Sequence, residues 1–321
     1  MTEKEITNFL LESKWINRLD SIEFLASGEY NENFLVAADS RMYVFRVNHG
    51  SQLGIEDQIA YEYSALAAVE KSGRTPRPYN YASATPERPG VLLEEFIAGS
   101  PFIYEKDSQK AAETFSRIHR LKFNHRVPPL INQEHMIEAI VDESDAMRAK
   151  YKKHHRKTER VKIDKYQEEI RKRTSDWNKE FNREIPCIVN SEVNSGNFVV
   201  REGIALLVDW EKAVISYRYQ DLGHFVVPTT TLWKSDFCFT AESRAEFLSA
   251  YINYTDIAIS LGDLSYLTSI MERVILLRAL SWCYMAFYEY TRTDRHLQNK
   301  ATFRRITAYL DEIDRFLDHP A

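Results

Sequence analysis

The stretch NSEVNSGNFVVREGIALLVDW, Asn190–Trp210, organises the reading of this 321-residue chain. Two apolar runs, Asn197–Val200 and Ile204–Val208, flank Arg201-Glu202-Gly203, a turn triplet whose glycine tolerates φ > 0, so the pair reads as a short β-hairpin. Glu192 and Asn197 precede the first strand and Asp209 ends the second. Antiparallel strands bring those three oxygen-bearing side chains to the same end of the hairpin. Hard cations and phosphate groups are held by such sets.

Asn197 follows Glu192 by five positions and Asp209 follows Asn197 by twelve. Phosphoryl transfer needs this order: one carboxylate takes the proton of an attacking hydroxyl, while an amide oxygen and a second carboxylate hold Mg²⁺ against nucleotide phosphates. On these residues the chain resembles the aminoglycoside phosphotransferase and choline kinase-like family. The catalytic loop of that family commonly reads His-Gly-Asp-x-x-x-x-Asn, followed by a strand ending Ile-Asp-Trp-Glu. Here the corresponding residues are Asn190-Ser191-Glu192, Asn197 and Val208-Asp209-Trp210-Glu211, with Tyr219-Gln220-Asp221-Leu222-Gly223 matching the later Asp-Leu segment. The resemblance implies an α+β, protein kinase-like two-lobe fold, with a small antiparallel-sheet amino-terminal lobe at 1–98 and a mostly helical lobe at 99–321. It implies Glu192 as catalytic base, Asn197 and Asp209 as Mg²⁺ ligands, and ATP or GTP as donor to a hydroxyl of a small molecule. Where the family has Asp and His, this chain has Glu192 and Asn190. Glu keeps the carboxylate on a stem one methylene longer, which suits proton transfer after a shift of about 1 Å. The alternative is a catalytically silent nucleotide-binding protein or scaffold with an acidic partner.

Upstream, Ser21–Ala26, Asn33–Ala38 and Met42–Val47 read as a three-stranded antiparallel meander, after a short amphipathic helix within 1–20. The loop Ser27–Asn33, with Gly28, stands where a kinase-like fold covers phosphates. Arg46 in the third strand stands where such folds carry a phosphate-binding Lys, and its guanidinium makes bidentate contacts that Lys cannot. The next helix has an apolar stripe of Ile59, Tyr63, Leu66 and Val69, and Glu62 falls inside it. A carboxylate on a buried stripe needs a partner, and Arg46 is the expected one; the alternative has Glu62 reaching solvent. Strands near Tyr79–Ala82 and Gly90–Phe96 follow. The run Val91–Gly99 resembles the lobe-connecting hinge, whose backbone at Glu95 and Phe96 would bind adenine, with Leu93 or Phe96 in an apolar slot.

Beyond residue 99 the periodicity is helical, with patterns at Ser108–Lys122, Ala241–Tyr251, Leu264–Thr291 and Lys300–Leu317. The third is apolar around most of its circumference and is expected to be central and buried. His119 and His224 read as structural. Trp282, Tyr284, Tyr288 and Tyr290 read either as core or as an aromatic cage for a cation.

Net charge is −5, yet Arg148–Arg173 carries twelve Lys/Arg against four acids, or +8. That segment reads either as a solvated helical face or as a surface for an acidic partner. It lacks a nucleic-acid recognition motif, so a nucleic-acid partner is not expected. No apolar run approaches the roughly 20 residues of a membrane span, and no secretory signal stands at the start. Three scattered cysteines suggest neither disulfides nor zinc. A cytoplasmic protein is expected.

Overall fold

A computed structural model describes residues 1–28, 30–51, 53–123, 130–292 and 300–318. The chain opens with helix α1 (Glu3–Glu12), started by a capping box in which the Glu5 amide donates to Thr2 Oγ1 and the Thr2 amide to Glu5 Oε2. Strands β1 (Leu19–Ser27), β2 (Asn31–Ala38) and β3 (Arg41–Asn48) form the expected meander. The β2–β3 turn is Asp39-Ser40, both at positive φ (49° and 62°), and Arg41 pairs with Ala38, so β3 starts one residue before the expected Met42. The Asp39 carboxylate accepts the amides of Asn17 and Arg18, which fixes the turn against the start of β1.

Helix α2 (Gln58–Val69), β4 (Pro78–Ala82) and β5 (Gly90–Glu95) complete the amino-terminal part. The sheet order is β1-β2-β3-β5-β4, antiparallel throughout. Alternation along β3 and β5 sorts their side chains between two faces. Phe45, Val47, Val91 and Leu93 pack with Ile6 and Leu10 of α1. Arg46, Leu92 and Glu94 take the opposite face, with α2. The register pairs Arg46 with Leu92, which puts Glu94 on the diagonal from Arg46.

The chain leaves the sheet through Gly99, where an added Cβ would stand 2.5 Å from the Val200 carbonyl oxygen. Only glycine permits that approach, and β6 (Ser100–Pro101) then pairs with β8 (Phe198–Arg201). Between them lie α3 (Tyr104–His119), α4 (Met136–Ala149), α5 (Lys157–Phe181) and β7 (Cys187–Val189). Strand β9 (Ile204–Leu207) closes the expected hairpin with β8. Its turn is the pair Glu202-Gly203, at φ 52° and 80°. Strand β10 (Val214–Ser216) pairs with β7.

Helices α6 (Tyr219–Val226), α7 (Pro228–Lys234), α8 (Ala241–Tyr254), α9 (Leu261–Tyr290), α10 (Lys300–Asp311) and α11 (Ile313–Leu317) form the rest. Helix α9 is the central element, as its sequence implies: α4, α5, α6, α8 and α10 all pack on it. Where α6 crosses it, a Cβ at Gly223 would stand 2.8 Å from Met271 Cβ and 3.0 Å from the Glu272 amide nitrogen. Backbone cannot yield cheaply, so Gly223→Ala is expected to destabilise by about 1–3 kcal/mol, read as a lower urea midpoint. Among the described residues no helix is long and apolar enough to cross a membrane.

Candidate active site

Strand β7 delivers the loop that carries Asn190 and Glu192, and Asp221 at the start of α6 fixes it. That carboxylate is fully buried and accepts the amides of Asn190 (3.0 Å) and Ser191 (2.8 Å). His119 Nε2 lies 3.1 Å from the same carboxylate and its Nδ1 3.1 Å from the Tyr251 hydroxyl. Burial pushes the imidazole pKa down, against the pull of Asp221. His119 is thus a positioning residue, in line with its structural reading. Ser191 stands at φ 65°, in the left-handed region, and its hydroxyl donates to the Lys212 carbonyl at 2.8 Å.

Asn190 ties the loop to the hairpin. Its Nδ2 donates to the Asp209 carbonyl at 2.7 Å, and its Oδ1 accepts the Glu192 amide at 3.1 Å. Asn197 ends a 3₁₀ turn, Ser195–Asn197, that Asn194 caps. Its Nδ2 donates to the Glu192 carbonyl at 2.7 Å, so its Oδ1 is the atom left to face a cation. Asp209 follows β9 at φ 65°, an uncommon conformation for a residue with a Cβ. Glu192, Asn197 and Asp209 therefore share one end of the hairpin, as their spacing predicts.

Arg46 joins the sheet to this end. Its guanidinium is buried; Nη1 donates to Glu62 and, at 3.0 Å, to Asp209 Oδ1, while Nε donates to Asn33 at 3.1 Å. Glu62 is fully buried on α2, so the alternative in which it reaches solvent is excluded. Glu94, to which the sequence reading gave no role, is buried with an oxygen 3.8 Å from Nη2. Glu211, in the Asp-Trp-Glu triplet, accepts from Asn31 Nδ2 at 2.6 Å. Four carboxylates (Glu62, Glu94, Asp209 and Glu211) thus surround one guanidinium. Burial and the neighbouring Asp209 charge push Glu211 up to about 8. Burial raises Glu62 as well, opposed by Arg46, and the carboxylates hold Arg46 above its ordinary range. A site so overloaded with negative charge suits a divalent cation carrying a polyphosphate.

Glu95 and Phe96 stand apart from this cluster. The Tyr43–Glu95 pair lies three residues along the strands from Arg46–Leu92, roughly 10 Å away at strand rise. The Glu95 amide donates to the Arg77 carbonyl (2.8 Å) and the Phe96 amide to the Met42 carbonyl (3.3 Å). The Glu95 carboxylate faces Arg201, 3.3 Å from its Nη1. Leu93 is core, packed with Phe45 and Val91, which leaves Phe96 as the accessible apolar group of the two.

A cavity of about 630 Å³ opens on Glu192, with Ser27 and Gly28 of the β1–β2 loop at its edge; Glu29 of that loop lies outside the described residues. Trp233 and Trp282 meet edge to face in its wall, ring centres 5.6 Å apart. The four-residue aromatic cage is not assembled. Tyr284 stacks on His154 and Tyr288 on Tyr151, away from the cavity that Trp282 and Tyr290 line. His224 lines the cavity too. The Val193 amide donates to its Nδ1 at 2.9 Å, so the neutral ring carries its proton on Nε2.

Burial, with Arg278 and Lys212 nearby, pushes His224 down to about 3. An unfolded imidazole, near 6.5, binds a proton that the folded one refuses, so stability falls as pH drops below about 6.5. From pH 6.5 to 4.5 the expected loss is about 2–3 kcal/mol. Urea denaturation at the two pH values should show it, with a smaller drop in His224→Asn.

No curated protein matches the chain by sequence. In structure it is similar to an ethanolamine kinase of Plasmodium vivax, with a TM-score of 0.67 at 15% identity, covering 99% of this chain and 92% of that one. It is similar to aminoglycoside phosphotransferase APH(4)-Ia, with a TM-score of 0.68 at 13% identity and 100% of each chain covered. A choline/ethanolamine kinase family protein from Mesorhizobium loti gives 0.61 at 16% identity, covering 99% and 98%. These likenesses establish the kinase-like two-lobe fold. The family model described as "Phosphotransferase enzyme family" (APH) matches residues 21–259, well over half of the chain, and the chain belongs to that family.

Proposed function

We propose that this protein transfers the γ-phosphate of ATP or GTP, in a Mg²⁺-dependent reaction, to a hydroxyl of a small molecule. The observation that carries the reading is the meeting of Asp209 with the Arg46–Glu62 pair at the end of the hairpin where Glu192 and Asn197 also stand. Residues 1–98 form the nucleotide lobe, with Gly28 in the covering loop and the adenine edge read by backbone at Glu95 and Phe96. Residues 99–321 carry the catalytic loop and the acceptor cavity. The three cysteines are unbridged, in keeping with a cytoplasmic enzyme.

Asn197 Oδ1 and the Asp209 carboxylate would hold Mg²⁺, which when bound neutralises phosphate charge. Arg46, oriented by Glu62, contacts the phosphates. Glu192 accepts the proton of the acceptor hydroxyl as its oxygen bonds to the γ-phosphorus. The bond from that phosphorus to the β,γ-bridging oxygen breaks, and its electron pair leaves on the nucleoside diphosphate. Lys212 Nζ lies 3.4 Å from Glu192 Oε2, the ion-pair partner of that carboxylate.

Calorimetric titration with ATP and with GTP, each with and without Mg²⁺, tests the reading. Binding should require Mg²⁺ in the wild type and be lost, by at least about a hundredfold, in Asp209→Ala. Absence of binding to both nucleotides would leave only a kinase-shaped scaffold.

A further inference from the structure

The cavity beside Glu192 has an unusual charge for a site expected to take amines. Ethanolamine, choline and aminoglycosides, named in the similar structures, all carry positive nitrogen. A cationic acceptor needs carboxylates or a dedicated aromatic enclosure. Among the described residues lining this cavity Glu192 is the sole carboxylate, and it is already paired with Lys212. Tyr284 and Tyr288 are stacked elsewhere, and the aromatic lining among the described residues, Trp233, Trp282, Tyr290 and Tyr309, has no unpaired carboxylate beside it.

The same wall is rich in groups that bind anions. Arg278 lines it, its Nε paired with Glu143 at 3.1 Å and its Nη1 donating to the Ser191 carbonyl at 3.3 Å. Lys234, at the end of α7, lies against the catalytic loop: its Cε would be 3.8 Å from a Cβ built on Gly196. Its ammonium has no ion-pair partner among the described residues. His224 is held as the Nε2–H tautomer by the Val193 amide, so it can only donate from the atom left free. Thr229 borders the cavity at 4% exposure, its hydroxyl buried and without a hydrogen-bond partner. A neutral imidazole N–H and two cations on one wall form an anion-binding set. The Trp233 and Trp282 faces offer the adjoining surface to a carbon skeleton.

We propose that the acceptor is a small hydroxyl compound bearing a carboxylate or a phosphate. Its anion sits on Lys234, Arg278 and His224 Nε2–H while its hydroxyl faces Glu192. This rests on the phosphotransferase reading for the reaction but not for the binding, and the two are separable by experiment.

The full chain, with Mg²⁺ and ATP or GTP, is offered four panels: hydroxycarboxylic acids including hydroxy-amino acids, sugar and polyol phosphates, neutral sugars, and the hydroxylated amines ethanolamine, choline and an aminoglycoside. Product is read by ³¹P NMR and nucleoside diphosphate release. Turnover is expected in one of the first two panels, which also decides between carboxylate and phosphate. Lys234→Met and His224→Asn, which keeps an acceptor for the Val193 amide, should each raise the acceptor KM about 10–100-fold. The nucleotide KM should stay within about twofold. Turnover confined to amines or neutral sugars overturns the proposal, as does a Lys234→Met defect confined to nucleotide KM, which would place that ammonium on the γ-phosphate. If no panel turns over, the phosphotransferase reading fails, and calorimetry decides the cavity separately with glycerate, glycerol 3-phosphate and ethanolamine as probes. Anion binding weakened tenfold or more in Lys234→Met sustains the proposal; binding of ethanolamine alone, or of none of the three, ends it.

Discussion

Glu192→Gln should lower turnover by about 10²–10⁴-fold, the range expected when a positioned general base is lost, while Mg²⁺-nucleotide affinity stays within about twofold. The substitution keeps the shape of the side chain and removes only its capacity to take a proton. Nothing that holds the loop depends on that carboxylate: Asn190, Asp221 and Asn197 engage backbone atoms of residues 190–192. The Glu192 side chain is partly exposed at the cavity, with Lys212 as its ion-pair partner. Initial rates, together with nucleotide titration of the same variant, separate chemistry from binding. Glu192→Asp is the informative companion, because it restores the family's own residue. If the backbone here has adjusted to the longer stem, retracting the carboxylate by about 1 Å costs up to about 10²-fold. Turnover of Glu192→Gln at more than a third of wild type would remove Glu192 from the reaction as its base.

What was legible in the chain, and what was not, divides by the range of the interaction. The hairpin could be read because Glu202-Gly203 is a local turn signal and strand polarity then dictates which side chains share an end. The Arg46–Glu62 pair could be read because a carboxylate inside an apolar helical stripe demands a partner. Glu94 and Glu211 were missed because they join Arg46 only through the β3–β5 register and the approach of the hairpin to the sheet. Periodicity tells which face a residue takes, not what it meets there. The cavity wall was missed for the same reason: His224, Thr229, Lys234 and Arg278 come from α6, α7 and α9, and only tertiary packing brings them together. A helical signal did exist for the aromatic residues. At about 100° per residue, Tyr284 and Tyr288 project on the side of α9 opposite Trp282, while Tyr290 is only about 80° from it. That spacing already argued against a four-membered cage.

Arg148→Ala is expected to destabilise the protein by about 3–5 kcal/mol and to lower its thermal midpoint by about 5–10 °C, an effect that concerns the basic segment as a whole. Counting charge along the sequence makes Arg148–Arg173 a candidate docking face of +8. Among the described residues, seven of its twelve cations (Arg148, Lys150, Arg156, Arg160, Lys162, Arg171 and Lys172) form ion pairs with the chain's own acids. Several of those acids, Glu289, Asp311 and Asp314, lie more than a hundred residues away, out of reach of any local count. Arg148 is the extreme case. Its side chain is fully buried, and it donates to Asp145, Asp164, Gln167 and Ser281, joining α4, α5 and α9. Truncation removes the cation and strands these partners, Ser281 and Gln167 in the interior, where unmet polar groups are costly. Lys152, exposed in the same segment, is the control: Lys152→Ala should stay within about 0.5 kcal/mol of wild type. Differential scanning calorimetry on both variants decides the matter. Equal, small effects would return the segment to the status of a solvated face. A large loss confined to Arg148 would mean that this cation serves to bind α5 to α4 and α9 rather than an acidic partner.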